Sequence, residues 1–365
     1  MPKIRFILSE LPNPALEETA IIERLKSFYN RLQDKRQNEE GLSEEERAAR
    51  SEFWHHQANE FPKALDTRIR RWAHNIRRNH LKEVEPTRLS KEDRAMLEGC
   101  REGAEVFGLR SAHHIDEIAA SLHAEFPWIS EATTHVWRSL HHNLAGGMPG
   151  ARFAPILLDG PPGIGKSAWA RRLAQLLGTP DMIVDATGEN ASFGFVGSQR
   201  GWSNAGPGRL ISLMLMRQVA NPLVIIDEIE KSGSVMSDKG QSFSLPNALL
   251  PLLEEMTACR WTCPYFQNQF DMSFINWVFT SNSLRGLPEP LLSRIRVFSV
   301  PSPSQAQINE LVLREASKRK LTSSITAAIT TALAEAFEAG HQINVRTVKR
   351  MLDLGSDQQN RPVLH

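Results

Sequence analysis

The octapeptide GPPGIGKS at positions 160–167 constrains this 365-residue chain more than any other stretch. It fits the pattern G-x-x-x-x-G-K-[ST] in full. Its surroundings fit as well: the apolar run Ile156–Leu158 leads in, and SAWARRLAQLLG, rich in helix formers, leads out. A strand that turns through glycines into a helix start is built to receive phosphate. The glycines let backbone N–H groups point inward, and the helix N-terminus adds partial positive charge at the same place. Gly160, Pro161, Pro162, Gly163, Ile164, Gly165, Lys166 and Ser167 are therefore expected to cradle a nucleotide's phosphates. Lys166 would reach the β- and γ-phosphates, and Ser167 would offer its hydroxyl to a magnesium ion. The competing reading is a chance glycine-rich turn.

The stretch LVIIDEIE at 223–230 supplies the expected complement. An apolar strand that closes on two acids brings carboxylates to the edge of a nucleotide-binding sheet. Asp227 is expected to hold the hydrated magnesium, and Glu228 to polarise the attacking water. Taken alone, the same residues read equally well as a strand followed by a solvated acidic helix start. Their place about sixty residues after a complete phosphate loop favours the chemical reading.

Further short apolar runs at 182–186, 275–280 and 295–300 alternate with helical stretches. Strands interleaved with helices indicate βαβ units, so the expected fold class is α/β, a parallel sheet with helices on both faces. Residues 1–112 are charged and rich in helix formers. Ile21, Ile22, Leu25 and Phe28 have helical spacing, and Ser43 with Glu46 has capping-box spacing. The expected organisation is an N-terminal helical region at 1–112, a nucleotide-binding domain at 113–302, and a helical lid with tail at 303–365. Gly340 is expected to end a lid helix, and the segment 355–365 is expected to be loose.

Net charge is +1, which exerts no global pull toward nucleic acid or acidic membranes. One local exception is TRIRRWAHNIRRNHLK at 67–82, with six Lys/Arg and no acid. It reads either as a phosphate-binding face or as a solvated or intersubunit helix face. Three cysteines do not make a disulfide scaffold, and Cys259 with Cys263 lacks a second ligand pair at zinc spacing. No apolar run approaches the roughly 20 residues that cross a bilayer. The N-terminus MPKIRFILSELPNP has a very short apolar core and a Pro/Glu-rich sequel, so no signal peptide is expected there. A reducing, cytoplasmic setting without membrane attachment is expected.

The pair GPPGIGKS and IIDEIEK resembles the AAA+ superfamily, and the residues between them narrow the likeness. FVGSQRGWSNAGPGRLISLMLMRQVANPLVIIDEIEK is similar to the ATPase module of the Lon protease family. Gly197, Arg200, Pro207, Gly208, Asn221 and Pro222 hold the places of that family's loop, helix opening and Asn-Pro pair. FPWISEAT at 126–133, NALLPLLEE, the YFQNQFDMSF run and VFTSN match in order as well. The resemblance implies ATP and Mg2+ as cofactors. It implies that Asn282 is sensor 1, orienting water near the γ-phosphate, where the alternative is a turn asparagine after a strand. It implies that Arg294 is an arginine finger acting on a neighbouring subunit, with Arg296 or a surface salt bridge as alternatives. It implies that Arg346 is sensor 2, with Arg350 one turn on, where the alternative is an ordinary surface arginine. Trp202 holds the place of a pore-loop aromatic that grips polypeptide, and packing of its own loop is the bland alternative. The polar loop at 232–242 is a candidate second pore loop, against a plain solvent loop.

A finger that acts in trans requires a homo-oligomer, by resemblance a hexameric ring working on a protein substrate or adaptor. Two departures stand out. No serine–lysine protease domain follows the lid, so proteolysis is not expected, and residues 1–112 do not resemble the Lon substrate-binding region. The expected activity is ATP hydrolysis coupled to remodelling or translocation of protein. The rival readings are a nucleic-acid-associated motor or loader and an ATP-dependent assembly switch.

Overall fold

The structure, a computed structural model, describes residues 1–39, 62–84, 89–187, 192–200, 205–232, 234–236 and 242–360. The Ser43/Glu46 pair and Trp202 lie outside the described residues. The chain forms two compact units: Ser9–Glu98, and Met1–Leu8 together with Gly99–His365.

The Ser9–Glu98 unit is helical. Helix α1 (Glu18–Glu39) packs against α2 (Lys63–Val84), and α3 (Lys91–Gly99) follows. Ile21 of α1 and Ile69 and Ala73 of α2 are buried, which explains the apolar spacing at the start of α1. The basic segment 67–82 is the body of α2. Arg70 pairs with Asp66 at 2.6 Å and Arg77 with Glu17 at 3.0 Å, while the Arg68 guanidinium covers Trp72 at 4.9 Å.

The larger unit opens with α4 (Ala112–Glu125) and α5 (Ser130–Ala145), which pack together ahead of a five-stranded sheet. The strands are β1 (Ile156–Asp159), β2 (Asp181–Asp185), β3 (Leu223–Asp227), β4 (Asn276–Ser281) and β5 (Arg296–Ser299). Their order is β5-β1-β4-β3-β2, and all are parallel. The three central strands are apolar and buried almost throughout, as a sheet covered on both faces requires, while the edge strands β5 and β2 alternate toward exposure.

Register decides where chemistry can sit. Ser281 pairs with Asp159, Phe279 with Ile226, Ser299 with Asp159 and Asp185 with Asp227. The carboxyl ends of all five strands therefore line one edge, and their polar terminal residues face a common space.

Helix α6 (Lys166–Leu177) lies between the phosphate loop and β2. Trp169, Ala170, Leu173, Ala174 and Leu177 are buried, and Gly178 ends the helix in the left-handed region at φ 68°. Helix α7 (Arg209–Arg217) precedes β3, α8 (Leu245–Leu253) follows it, and α9 (Glu289–Leu292) leads into β5. Between α7 and β3, Asn221 is wholly buried. Its Oδ1 accepts from Phe107 N at 2.8 Å, and its Nδ2 donates to Phe107 O at 2.8 Å and Ala151 O at 3.1 Å.

The lid comprises α10 (Gln305–Arg319), α11 (Ser323–Glu338) and α12 (Val345–Gln359). Ser304 and Gln307 form a reciprocal capping box at the start of α10. One expectation is overturned here. Residues 355–359 are not loose but complete α12. Gly355 is buried, and a Cβ there would lie 2.8 Å from Ile325 Cγ2, so this glycine permits close packing of α12 on α11. Among the described residues, no helix is long and apolar enough to cross a membrane.

Candidate active site

The phosphate loop connects β1 to α6. Gly163 at φ 78° and Gly165 at φ 96° take left-handed conformations that side chains resist. Gly160 is held against the end of β5, where a Cβ would meet Val300 O at 2.2 Å. The backbone N–H groups of Gly163, Ile164 and Gly165 donate to no backbone carbonyl among the described residues, which leaves a concave set of donors at the start of α6. The loop is supported from behind, since Trp128 Nε1 donates to Ile164 O at 2.8 Å.

Lys166 is 7% exposed, and all three of its ammonium hydrogens are engaged. They go to Gly160 O at 2.6 Å, Pro161 O at 2.9 Å and Asn282 Oδ1 at 3.0 Å. Burial lowers the lysine's affinity for its proton, and the charges of Glu230, Asp159, Asp227 and Glu228, in that order, oppose the shift. Burial likewise raises Asp159, against the pull of Lys166 and a hydrogen bond from Ser281.

Next to the lysine, Ser167 Oγ donates to Asp227 Oδ1 at 2.6 Å. Thr280 Oγ1 donates to the same oxygen at 2.5 Å and accepts from Glu228 N at 3.1 Å. Glu228 has the left-handed backbone φ 54°, ψ 49°, which turns the chain sharply into the short 3-10 helix Ile229–Lys231. Its carboxylate is shared between Lys231 Nζ at 2.7 Å and Asn282 Nδ2 at 3.2 Å. Glu230, coming back around that turn, accepts from Asn282 N at 3.0 Å and Asn282 Nδ2 at 2.9 Å.

The donor set suits a nucleotide with magnesium. Loop N–H groups without a backbone acceptor and a buried ammonium suit phosphate oxygens, while a hydroxyl and a carboxylate 2.6 Å apart are the hard oxygen ligands that Mg2+ takes. Lys166, Ser167, Asp227, Glu228 and Asn282 thus converge on one sheet edge. Arg346 reaches the same edge by its backbone: Arg346 N donates to Gly163 O at 3.2 Å, with Asn344 capping α12 beside it. Its exposed guanidinium has no hydrogen-bond or ion-pair partner among the described residues, nor has that of Arg350 one turn on.

Arg294 is not in that group. It follows α9 and precedes Arg296, whose strand position pairs with Ile156 at the amino end of β1. Its Nη2 and Nε donate to Glu254 Oε2 at 2.9 and 3.3 Å, and Nη1 donates to Pro290 O at 2.8 Å. Arg294, Arg296 and Arg138 line a cavity of about 1020 Å³ at that amino-terminal edge. Arg296 is exposed and lies over Phe298 at 5.6 Å.

The described residues on either side of 201–204 are tied to each other. Gly197 and Pro207 form a bridge, Ser198 N donates to Gly206 O at 3.2 Å, and a Cβ on Gly208 would lie 2.3 Å from Phe195 O. The ends of the 232–242 loop form an antiparallel ribbon, Ser234–Met236 with Ser242–Ser244.

Comparison with known proteins adds to this geometry. A model of the "ATPase family associated with various cellular activities (AAA)" matches residues 156–301, the span of the sheet and its phosphate loop. The chain contains an AAA ATPase domain. That domain is the α/β sheet with its phosphate loop. Among curated relatives, the Lon protease of Clostridium acetobutylicum is 35% identical over 147 residues, 40% of this chain and 18% of that protein. The peroxisomal Lon protease homolog 2 of Arabidopsis thaliana is 30% identical over 173 residues, 47% of this chain and 19% of that protein. The chain thus spans less than a fifth of these relatives. A closed-state reconstruction of Hsp104 with ATPyS and FITC casein superposes with a TM-score of 0.50 at 18% identity, over 72% of this chain and 50% of that one. That likeness speaks to the AAA fold alone.

Two polar residues of the AAA site escaped the sequence reading. Thr280 sits in a strand that otherwise reads as apolar, and Glu230 follows the acid pair at a place where a solvated helix start was an equal reading.

Proposed function

We propose that this chain is the motor of a ring-shaped, Lon-like AAA+ machine that couples ATP hydrolysis to remodelling or translocation of a protein substrate. In this reading the 160–167 loop and Lys166 bind the phosphates of ATP, Ser167 and Asp227 hold Mg2+, and Glu228 and Asn282 position the attacking water. The bound metal supplies charge neutralisation at the phosphates. Arg346 senses the nucleotide from the lid, and Trp202 grips the substrate.

The observation that carries the ring is the separation of Arg294 from its own chain's phosphate edge. An arginine at the amino ends of the strands serves a nucleotide at the carboxyl ends only when a second copy provides that nucleotide. Its hold on Glu254 is no obstacle, because both side chains are partly exposed, at 32% and 44%, and such pairs are worth roughly 0–1 kcal/mol. A planar guanidinium freed from Glu254 can bridge phosphoryl oxygens. The ring is taken as hexameric by likeness to its superfamily, in a cytoplasmic setting. The proposal is confined to the ATP-driven step and assigns no peptide-bond cleavage to this chain.

The test is complementation. Lys166→Ala and Arg294→Ala proteins are each expected to be inactive, with the finger worth about 10³–10⁵ in rate. Mixing them should restore ATP turnover, because wild-type fingers then meet wild-type phosphate sites. Absence of recovery, with mixed assembly verified, would refute action in trans. Glu228→Gln should bind ATP without turning it over and so trap the substrate. Turnover equal to wild type would instead favour an assembly switch.

A nucleic-acid-linked motor is supported by one observation. Arg71, Arg78 and Lys82 of α2 have no acid partner among the described residues. Salt-sensitive DNA binding that stimulates ATPase activity would favour that reading.

A further inference from the structure

The side-chain amide of Asn282 is held from three directions. Its Oδ1 accepts from Lys166 Nζ at 3.0 Å, and its Nδ2 donates to Glu230 Oε1 at 2.9 Å and to Glu228 Oε1 at 3.2 Å. Only one of the two amide orientations satisfies all three, since the lysine needs an acceptor and both carboxylates need a donor. Glu230 has the larger share in that choice. It binds Asn282 twice, through Nδ2 and through the backbone N at 3.0 Å, whereas Glu228 binds once and is drawn outward by Lys231 at 2.7 Å.

Glu230 is also committed to this place. Its Oε2 is buried without a hydrogen-bond partner among the described residues, so the carboxylate has given up solvent on one oxygen to serve Asn282 with the other. A buried charge left half satisfied is costly, which calls for an explanation beyond packing.

We propose that Glu230 is a positioning residue of the ATPase reaction: it fixes the amide orientation of Asn282 and, through the second Nδ2 hydrogen, holds Glu228 turned inward toward the phosphate edge. When ATP draws the Lys166 ammonium onto its phosphates, Asn282 Oδ1 loses its donor and the amide would be free to rotate. The two bonds from Glu230 do not involve the lysine and persist. They keep the Nδ2 edge toward Glu228 and leave Oδ1 open as an acceptor for a water hydrogen. The inference rests on the ATPase reading of the site and adds a residue to which neither the phosphate-loop motif nor the acid pair assigns a role.

The test is a double-mutant cycle on the full-length chain, with kcat, KM and equilibrium binding of a fluorescent ATP analogue as separate readouts. Glu230→Ala is expected to lower kcat by about 10- to 100-fold, the scale typical of residues that orient a catalytic group. Its nucleotide affinity should stay within about threefold of wild type, because uniform binding is untouched. In Asn282→Ala the same substitution should cost almost nothing further, since Glu230 acts through that amide. Glu230→Gln retains an acceptor for Asn282 and should fall between wild type and Glu230→Ala in kcat. It also serves if the alanine variant fails to fold, as judged by thermal melting. Additive losses in the cycle, or a Glu230→Ala kcat equal to wild type, would overturn the inference. An inactive wild-type protein would instead bring down the ATPase reading itself.

Discussion

Replacing Thr280 by valine removes one hydroxyl and almost no volume, so its effect reports on hydrogen bonding rather than on a cavity. The threonine is 1% exposed, donates to Asp227 Oδ1 at 2.5 Å and accepts from Glu228 N at 3.1 Å. A bond to an ionised carboxylate contributes about 1.5–3 kcal/mol and a neutral one about 0.5–1.5, so the pair amounts to roughly 3 kcal/mol. The second bond also braces a strained residue. Glu228 has φ 54°, a left-handed conformation that costs a side-chain-bearing residue about 1–2 kcal/mol, and its N–H would lose its partner. If the whole ~3 kcal/mol fell on the reaction barrier, turnover would drop about a hundredfold. Some of it must fall on folding, because the bonds exist without substrate. Thr280→Val is therefore expected to lower kcat/KM by about 10- to 100-fold and stability by about 1–2 kcal/mol, read by steady-state ATPase assays and urea unfolding. Thr280→Ser, which keeps the hydroxyl, should recover most of both. A valine variant within about twofold of wild type in kcat/KM would refute the idea that Thr280 sets the geometry of the acid pair.

Lys166→Ala is expected to abolish nucleotide binding, and tight binding of a fluorescent ATP analogue to that variant would refute the assignment. His135 is held below its ordinary value by burial and by the charges of Arg296 and Arg138. As pH falls through about 6.5 the unfolded chain takes up a proton that the folded chain refuses, so stability should fall with pH. Urea midpoints at about pH 7.5 and about pH 5.5 should differ less in His135→Gln than in wild type, and an equal difference would refute this origin. Gly355→Leu should destabilise the lid by about 1–3 kcal/mol through overpacking against Ile325 and Ile329, and an unchanged urea midpoint would contradict the close approach of α12 to α11.

The phosphate loop and the acid pair were legible in the sequence because each is contiguous, and because backbone geometry leaves few residue types that serve there. The five strands were legible as apolar runs, and their parallel arrangement followed from the intervening helices. Their order and register were not, since pairing is decided by tertiary packing. Register is what sets Thr280 next to Asp227, and the signal available was a lone threonine at the end of an otherwise buried strand. Glu230 was hidden for a different reason. The left-handed turn at Glu228 redirects the next residues toward the sheet edge, whereas a regular helix there would have sent that acid into solvent. The pairing of Arg294 with Glu254 spans forty positions and leaves no local trace. The segment from Gly355 on reads as a loose tail, although that glycine's small size serves contact between two helices.

The hydrogen bond from Arg346 N to Gly163 O joins the first turn of α12 to the middle of the phosphate loop. Sequentially these residues are remote, yet mechanically they are one joint. Any shift of the Gly163 carbonyl would bear on the first turn of the last lid helix directly. If this loop takes phosphate as proposed, lid orientation would follow the loop through a main-chain contact, with no relay of side chains in between, and the length of α12 would magnify any tilt toward its far end.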